Sequence, residues 1–141
     1  MPALVAIVVA SAIALLGAAP GQAQAGTTIT AAGSPFGTML WGPKRQAIYI
    51  FERDSRSRSN CRGSCAKLWP PVYTSGRPVA GTGVRSSLLG SIRRGKKRQV
   101  TYNGWPLYYY AHEGRGEVKC HNVRLNGGLW WVIGPRGKRL R

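Results

Sequence analysis

The sequence predicts a mainly β fold, a small antiparallel β domain with little helix, built from two related copies of about 60 residues. Three observations lead there. Short runs rich in aromatic and β-branched residues recur along the chain, and 19 Gly and 9 Pro among 141 residues break it into turns. The chain also matches itself when shifted by 59 positions: Tyr49-Ile50-Phe51-Glu52-Arg53-Asp54 falls on Tyr108-Tyr109-Tyr110-Ala111-His112-Glu113, and Cys61 falls on Cys120. Two copies are too few for a solenoid. The expectation is therefore one pseudo-symmetric domain over residues 36–141, with copies at approximately 36–90 and 91–141.

Taken in order, residues 1–25 read as a signal peptide. Ala3 to Ala19 is an unbroken apolar and small-residue run, Pro20-Gly21 breaks it, and Ala23-Gln24-Ala25 supplies a small-x-small cleavage pattern. A retained membrane anchor is the alternative, although the run falls slightly short of the roughly 20 apolar residues that span a bilayer. Residues 26–35 are expected to be a flexible N-terminal segment, and Phe36 to Trp41 a first strand. In Ala47–Phe51 the rings of Tyr49 and Phe51 alternate with Ile48 and Ile50, so this strand is expected to be covered on both faces. Only Cys65-Ala66-Lys67-Leu68-Trp69 looks helical, and Pro70-Pro71 ends it. Arg98–Tyr102 and Trp105–Ala111 flank Asn103-Gly104, a strong hairpin signal because both residues tolerate positive φ. Leu129 to Ile133 is the last expected strand.

Export implies an oxidising compartment, in which three cysteines allow one disulfide. Cys61 and Cys65 lie four residues apart around Gly63, within bridging distance in a turn; the alternative is Cys61 with Cys120. The remaining sulfur could join His121 and His112 as candidate ligands of a zinc, copper or haem site, but the spacing lacks the paired pattern of structural zinc. No cofactor is expected. A periplasmic redox or metal (copper/haem) accessory role for these Cys and His residues stays open as the alternative function.

Several spaced motifs then appear in one order: Tyr49-x-Phe51-x-x-Asp54, Cys61-x-x-x-Cys65-Ala66-x-x-Trp69-Pro70-Pro71, Gln99-Val100-Thr101-Tyr102-Asn103-Gly104-x-Pro106-Leu107-Tyr108-Tyr109-Tyr110, and Trp130-Trp131-Val132. Together they resemble the bacterial secreted-repeat family, predicted lipoproteins with a conserved Yx(FWY)xxD motif. The resemblance covers most of residues 36–137 and implies export, a β-rich repeat domain and a function not generally established. This chain departs from it in having no lipobox cysteine, in carrying Glu113 where the motif has Asp, and in its unusual basicity.

The motif aromatics Tyr49, Phe51, Tyr108 and Tyr110 are expected to fill a core, with Asp54 and Glu113 accepting hydrogen bonds in the turns that follow. An exposed stacking platform for a sugar or a base is the competing reading. Trp69-Pro70-Pro71 is expected to be a rigid corner with its indole inward. A catalytic site is not expected: two His and four carboxylates are a thin supply for acid-base chemistry, and neighbouring residues such as Cys120 and His121 point to opposite faces of a strand.

Against 21 Lys and Arg stand only four acids, a net charge of +17. The cations cluster at Arg53, Arg56, Arg58 and Arg62; at Arg93, Arg94, Lys96, Lys97 and Arg98 around Gly95; and in the tail at Arg136, Lys138, Arg139 and Arg141. These residues are the candidate anion-binding groups. The expected partner is an anionic envelope component, lipid headgroups or polysaccharide, held by electrostatics in the periplasm or at the cell surface. Nucleic acid is electrostatically feasible, but export removes the usual partners and no groove-reading motif is visible. No small-molecule substrate is identified.

Overall fold

A computed structural model describes residues 1–17 and 26–141. The cleavage point expected after Ala25 lies outside the described residues. Residues 1–17 are exposed and have no regular secondary structure, and among the described residues no helix is long and apolar enough to cross a membrane.

The remainder is mainly β. The strands are β1 (Thr28–Ala32), β2 (Met39–Trp41), β3 (Tyr49–Phe51), β4 (Tyr73–Thr74), β5 (Val79–Ala80), β6 (Leu89–Arg94), β7 (Lys97–Tyr102), β8 (Trp105–Pro106), β9 (Val123–Leu125) and β10 (Gly128–Val132). One short helix, α1 (Ser64–Leu68), precedes Trp69-Pro70-Pro71, whose prolines cannot continue it. The strands form three small sheets, ordered β2-β1-β5, β3-β10-β9 and β4-β7-β6, with β8 pairing to β7. Pairing is antiparallel except between β1 and β5. Single contacts join the sheets: the Leu40 amide donates to the Ile133 carbonyl at 2.9 Å, and Tyr108 bridges both Tyr49 and Pro71.

The N-terminal segment corrects an expectation. Residues 26–35 are not a loose linker, because β1 is the central strand of its sheet and buries Ile29 completely. Its amides and carbonyls are satisfied by β2 on one side and β5 on the other, and that pairing orders a segment with little apolar content of its own.

Strand β3 separates two hydrophobic clusters. Tyr49 and Phe51 face one, with Trp41, Trp69, Tyr108 and Trp130; Ile48 and Ile50 face the other, with Val72, Val100, Tyr102 and Leu107. A strand walled by apolar side chains on both faces is what the run Ile48–Phe51 dictates. The centre of the first cluster is a stack of rings. Trp69 lies parallel to Trp130 at 3.8 Å between centroids, and Trp130 parallel to Phe51 at 4.1 Å. Tyr49 meets the Trp69 ring edge-on at 5.3 Å, and Tyr108 meets that of Trp130 at 5.2 Å. Asn103 and Gly104 both have positive φ, 48° and 79°, as the hairpin between β7 and β8 requires.

Cys61 and Cys65 form a disulfide, with Cα atoms 5.2 Å apart, and Cys120 is free and buried. The bridge ties the first turn of α1 to the loop after β3, closing a short loop that follows the Asp54 turn.

Candidate functional site

The two motif segments meet edge to edge, β3 pairing with Tyr108 through an isolated antiparallel bridge. The Tyr49 amide donates to the Tyr108 carbonyl at 2.9 Å, and the Tyr108 amide donates to the Tyr49 carbonyl at 3.0 Å. From this reciprocal pair each phenol reaches the acid that follows the other. The Tyr49 hydroxyl donates to Glu113 Oε2 at 2.9 Å, and the Tyr108 hydroxyl donates to Asp54 Oδ2 at 2.6 Å. Each acid also receives a backbone amide six positions on, Asn60 to Asp54 Oδ1 at 2.7 Å and Lys119 to Glu113 Oε2 at 3.0 Å. Aromatic residue, acid and amide thus recur in space at the 59-residue shift found in the sequence.

These side chains are sealed rather than presented to a ligand. Tyr49, Tyr108 and Trp69 are fully buried, Phe51 and Asp54 nearly so, and Tyr110 and Glu113 are half-buried. Burial, opposed by the Asn60 amide and the Tyr108 hydroxyl, pushes the Asp54 carboxyl up to about 6. Burial also raises Glu113, whose Oε1 is the one buried side-chain oxygen without a partner among the described residues. Both phenols are raised beyond the usual tyrosine range, first by burial and then by the facing carboxylate. They are therefore neutral donors, not nucleophiles. Trp69 is tucked inward with its Nε1 donating to Asn126 Oδ1 at 3.1 Å, Pro71 is buried, and Pro70 is half-buried beside it.

The candidate ligands do not gather. Cys61 and Cys65 are consumed by the disulfide, and no group of three or more His, Cys, Asp or Glu suited to a metal occurs among the described residues. The Cys120 thiol is pushed up by burial and then by the Glu113 charge, which keeps it protonated. His121 accepts the Val132 amide on Nδ1 at 3.1 Å and packs against Phe36. His112 lies exposed, edge-on to Tyr110.

The basic residues are largely where water can reach them. Arg53, Arg56, Arg58, Arg62, Arg93, Lys96, Lys97, Arg98, Arg136, Lys138, Arg139 and Arg141 are all exposed. Arg94 is different: it is half-buried, with its guanidinium donating to Ser59 Oγ at 2.6 Å, to Gln99 Oε1 at 3.1 Å and to the Cys61 carbonyl. It therefore serves the interior instead of an external anion, because the turn at Gly95 aims it back over the loop that holds Asp54. Around the same turn Arg93 sits directly opposite Arg98, and Arg94 opposite Lys97. The basic tail is folded onto the sheet: Ile133 bridges Arg139, and the Leu140 amide donates to the Val132 carbonyl at 3.1 Å.

Folding of the tail creates a groove that no motif announces. Trp105, Trp131 and Ile50, with Glu52, Asn103 and the Lys138–Arg139 pair, enclose an open space of about 420 Å³. A signal was present: Trp130 and Trp131 are neighbours in one strand, so if one ring enters the core the other must face the opposite side. Trp105 directly follows the Asn-Gly turn, which carries it beside that second face.

Residues 27–73 match the family model described as a secreted repeat of unknown function, a segment running from the start of β1 through the disulfide loop to β4. No curated protein and no solved structure matches the chain.

Proposed function

We propose that this chain, which carries a secreted repeat of unknown function over residues 27–73, is an exported, non-enzymatic protein that associates with an anionic component of the cell envelope through its surface cations. One observation carries the reading. Among the described residues the only ion pair joins Lys119 to Glu117 at 3.0 Å. The other three acids are committed to neutral donors: Asp54 to a phenol and an amide, Glu113 likewise, and Glu52 to the Leu129 amide at 2.9 Å. Nearly all of the 21 cations therefore lack an internal counter-charge. The exposed pair Arg93 and Arg98 at the β6–β7 turn adds to this, since like charges directly across a ladder repel and an external anion relieves them.

The fold serves as a rigid carrier for that surface. The ring stack and the reciprocal Tyr–acid bonds support a reading of two interlocked copies, each completing the other's acid site. Processing after Ala25 releases the domain to the periplasm or cell surface. The test is co-sedimentation of the 26–141 domain with vesicles of phosphatidylcholine alone or containing phosphatidylglycerol, beside retention in gels holding polygalacturonate. Retention by the anionic matrices and not by phosphatidylcholine is expected, and the two anionic arms separate lipid from polysaccharide. Equal behaviour in all of them would contradict the reading.

A further inference from the structure

We propose that the groove between Trp105 and Trp131 is a subsite for one acidic sugar residue of an extended polysaccharide, an inference that rests on the cation reading above and narrows its partner. The shape fits first. A space of about 420 Å³ falls within the roughly 300–1,000 Å³ of small-ligand clefts. Its floor is Ile50 and Trp131, the latter 8% exposed, and its wall is the half-buried Trp105. A pyranose ring presents a face of polarised C–H bonds, and an indole presents a face of negative potential, so the two are complementary.

The polar groups fit next, and they are held in place. Glu52 is fixed by the Leu129 amide at 2.9 Å and offers carboxylate oxygen to sugar hydroxyls. Asn103 is fixed by its Nδ2 donating to the Gly137 carbonyl at 3.0 Å. Arg139 lies with its guanidinium 4.2 Å from the Trp131 ring centre, and the Trp131 indole nitrogen donates to Asn122 Oδ1 at 3.2 Å. Side chains already fixed lose less freedom when a ligand arrives. Glu52 is the one acid in the lining and is outnumbered by Lys138 and Arg139, which favours a sugar bearing a carboxylate over a neutral one.

Continuity points to a polymer. Arg139 also lines two adjoining grooves, one of about 250 Å³ with His121 and Arg141 and one of about 420 Å³ with Thr38 and Arg136. Lys138 is shared by two of the three. Three grooves meeting on one cation suit successive units of a chain better than a single small anion. A lipid phosphate needs the cations but makes no use of the indole wall, and this difference gives the test its contrast.

The experiment compares wild type with Trp105→Leu, which keeps apolar bulk without a ring, and Trp105→Phe, which keeps a ring. All three retain the full positive charge. Binding is measured by titration with oligogalacturonate, with neutral dextran, and with phosphatidylglycerol vesicles, after thermal melting confirms that each variant is folded. For oligogalacturonate a loss of about tenfold is expected in Trp105→Leu with partial recovery in Trp105→Phe, and vesicle binding is expected to be unchanged in both. Dextran is expected to bind far more weakly than oligogalacturonate. Unchanged oligogalacturonate binding in Trp105→Leu, or dextran binding as tight, overturns the subsite while leaving the cation reading intact. Failure of wild type to bind either anion overturns both.

Discussion

Tyr108 joins the Asp54 carboxyl to the buried network around Ser59. Its hydroxyl donates to Asp54 and lies 2.6 Å from Ser59 Oγ, which in turn accepts from Arg94. Removing that one oxygen leaves a buried carboxylate with a single backbone donor, so Tyr108→Phe is expected to lower unfolding free energy by about 1–3 kcal/mol in urea titration. The pH response follows from Asp54. Its carboxyl lies at about 6 in the fold against an ordinary value near 3.8, so its contribution to stability is complete below about 4 and is lost as pH rises through about 6. Glu113, also raised, acts in the same direction. His121, lowered by burial, acts oppositely, losing stability as pH falls below its ordinary range. The telling comparison is therefore between wild type and Asp54→Asn: the variant's stability is expected to fall less between pH 4 and 7, and parallel curves would contradict the assignment. The burial of Tyr49, Phe51 and Trp69 was legible in the sequence because large rings in an alternating run have nowhere else to go. The exchange of partners, Tyr49 to Glu113 and Tyr108 to Asp54, was not, since alternation says which face a ring takes but not whose acid waits there.

At the level of elements, local chemistry was readable where it acts alone. Asn103-Gly104, Pro70-Pro71 and the Cys61-x-x-x-Cys65 spacing each determine their own backbone, and the turn, the helix stop and the disulfide all form where expected. Gly104→Ala forces a side chain into φ 79° and against Arg56; a loss of about 1–2 kcal/mol is expected, measured as a lower melting temperature. Cys61→Ser with Cys65→Ser is expected to cost about 2 kcal/mol for release of a five-residue loop. In wild type, iodoacetamide is expected to label one cysteine, and only after denaturation, because Cys120 is buried; two or three labelled sites without reductant would contradict the pairing. Elements whose order is lent by neighbours were not readable. In β1 only Ile29 is fully buried, and its Thr and Ala residues read as linker until β2 and β5 flank them. Strand β9 is a different case: Asn126 and Gly127, with φ 53° and 81°, carry the same local hairpin signal as Asn103-Gly104, so the pairing of β9 with β10 was readable and went unread.

For the whole molecule, each of the four acids is already engaged by a hydrogen bond or an ion pair, two of them at the surface, while every cation but Arg94 is exposed. A core of stacked rings and reciprocal hydrogen bonds needs no surface charge to hold it. Reversing surface charge is therefore expected to alter association without altering the fold: Arg136→Glu with Lys138→Glu should weaken retention by anionic matrices while the melting temperature moves little. Of the three grooves around Arg139, only the indole face of one was signalled in the sequence, by the Trp130-Trp131 pair; their shape was illegible because it arises only when the tail folds back on Val132 and Ile133. The most direct measurement of the central claim is the affinity of the folded 26–141 domain for phosphatidylglycerol vesicles as ionic strength is raised. A decline of about tenfold or more is expected between about 50 and about 200 mM salt, as several screened contacts require. An affinity that stays level across that range would show that the exposed cations do not govern association.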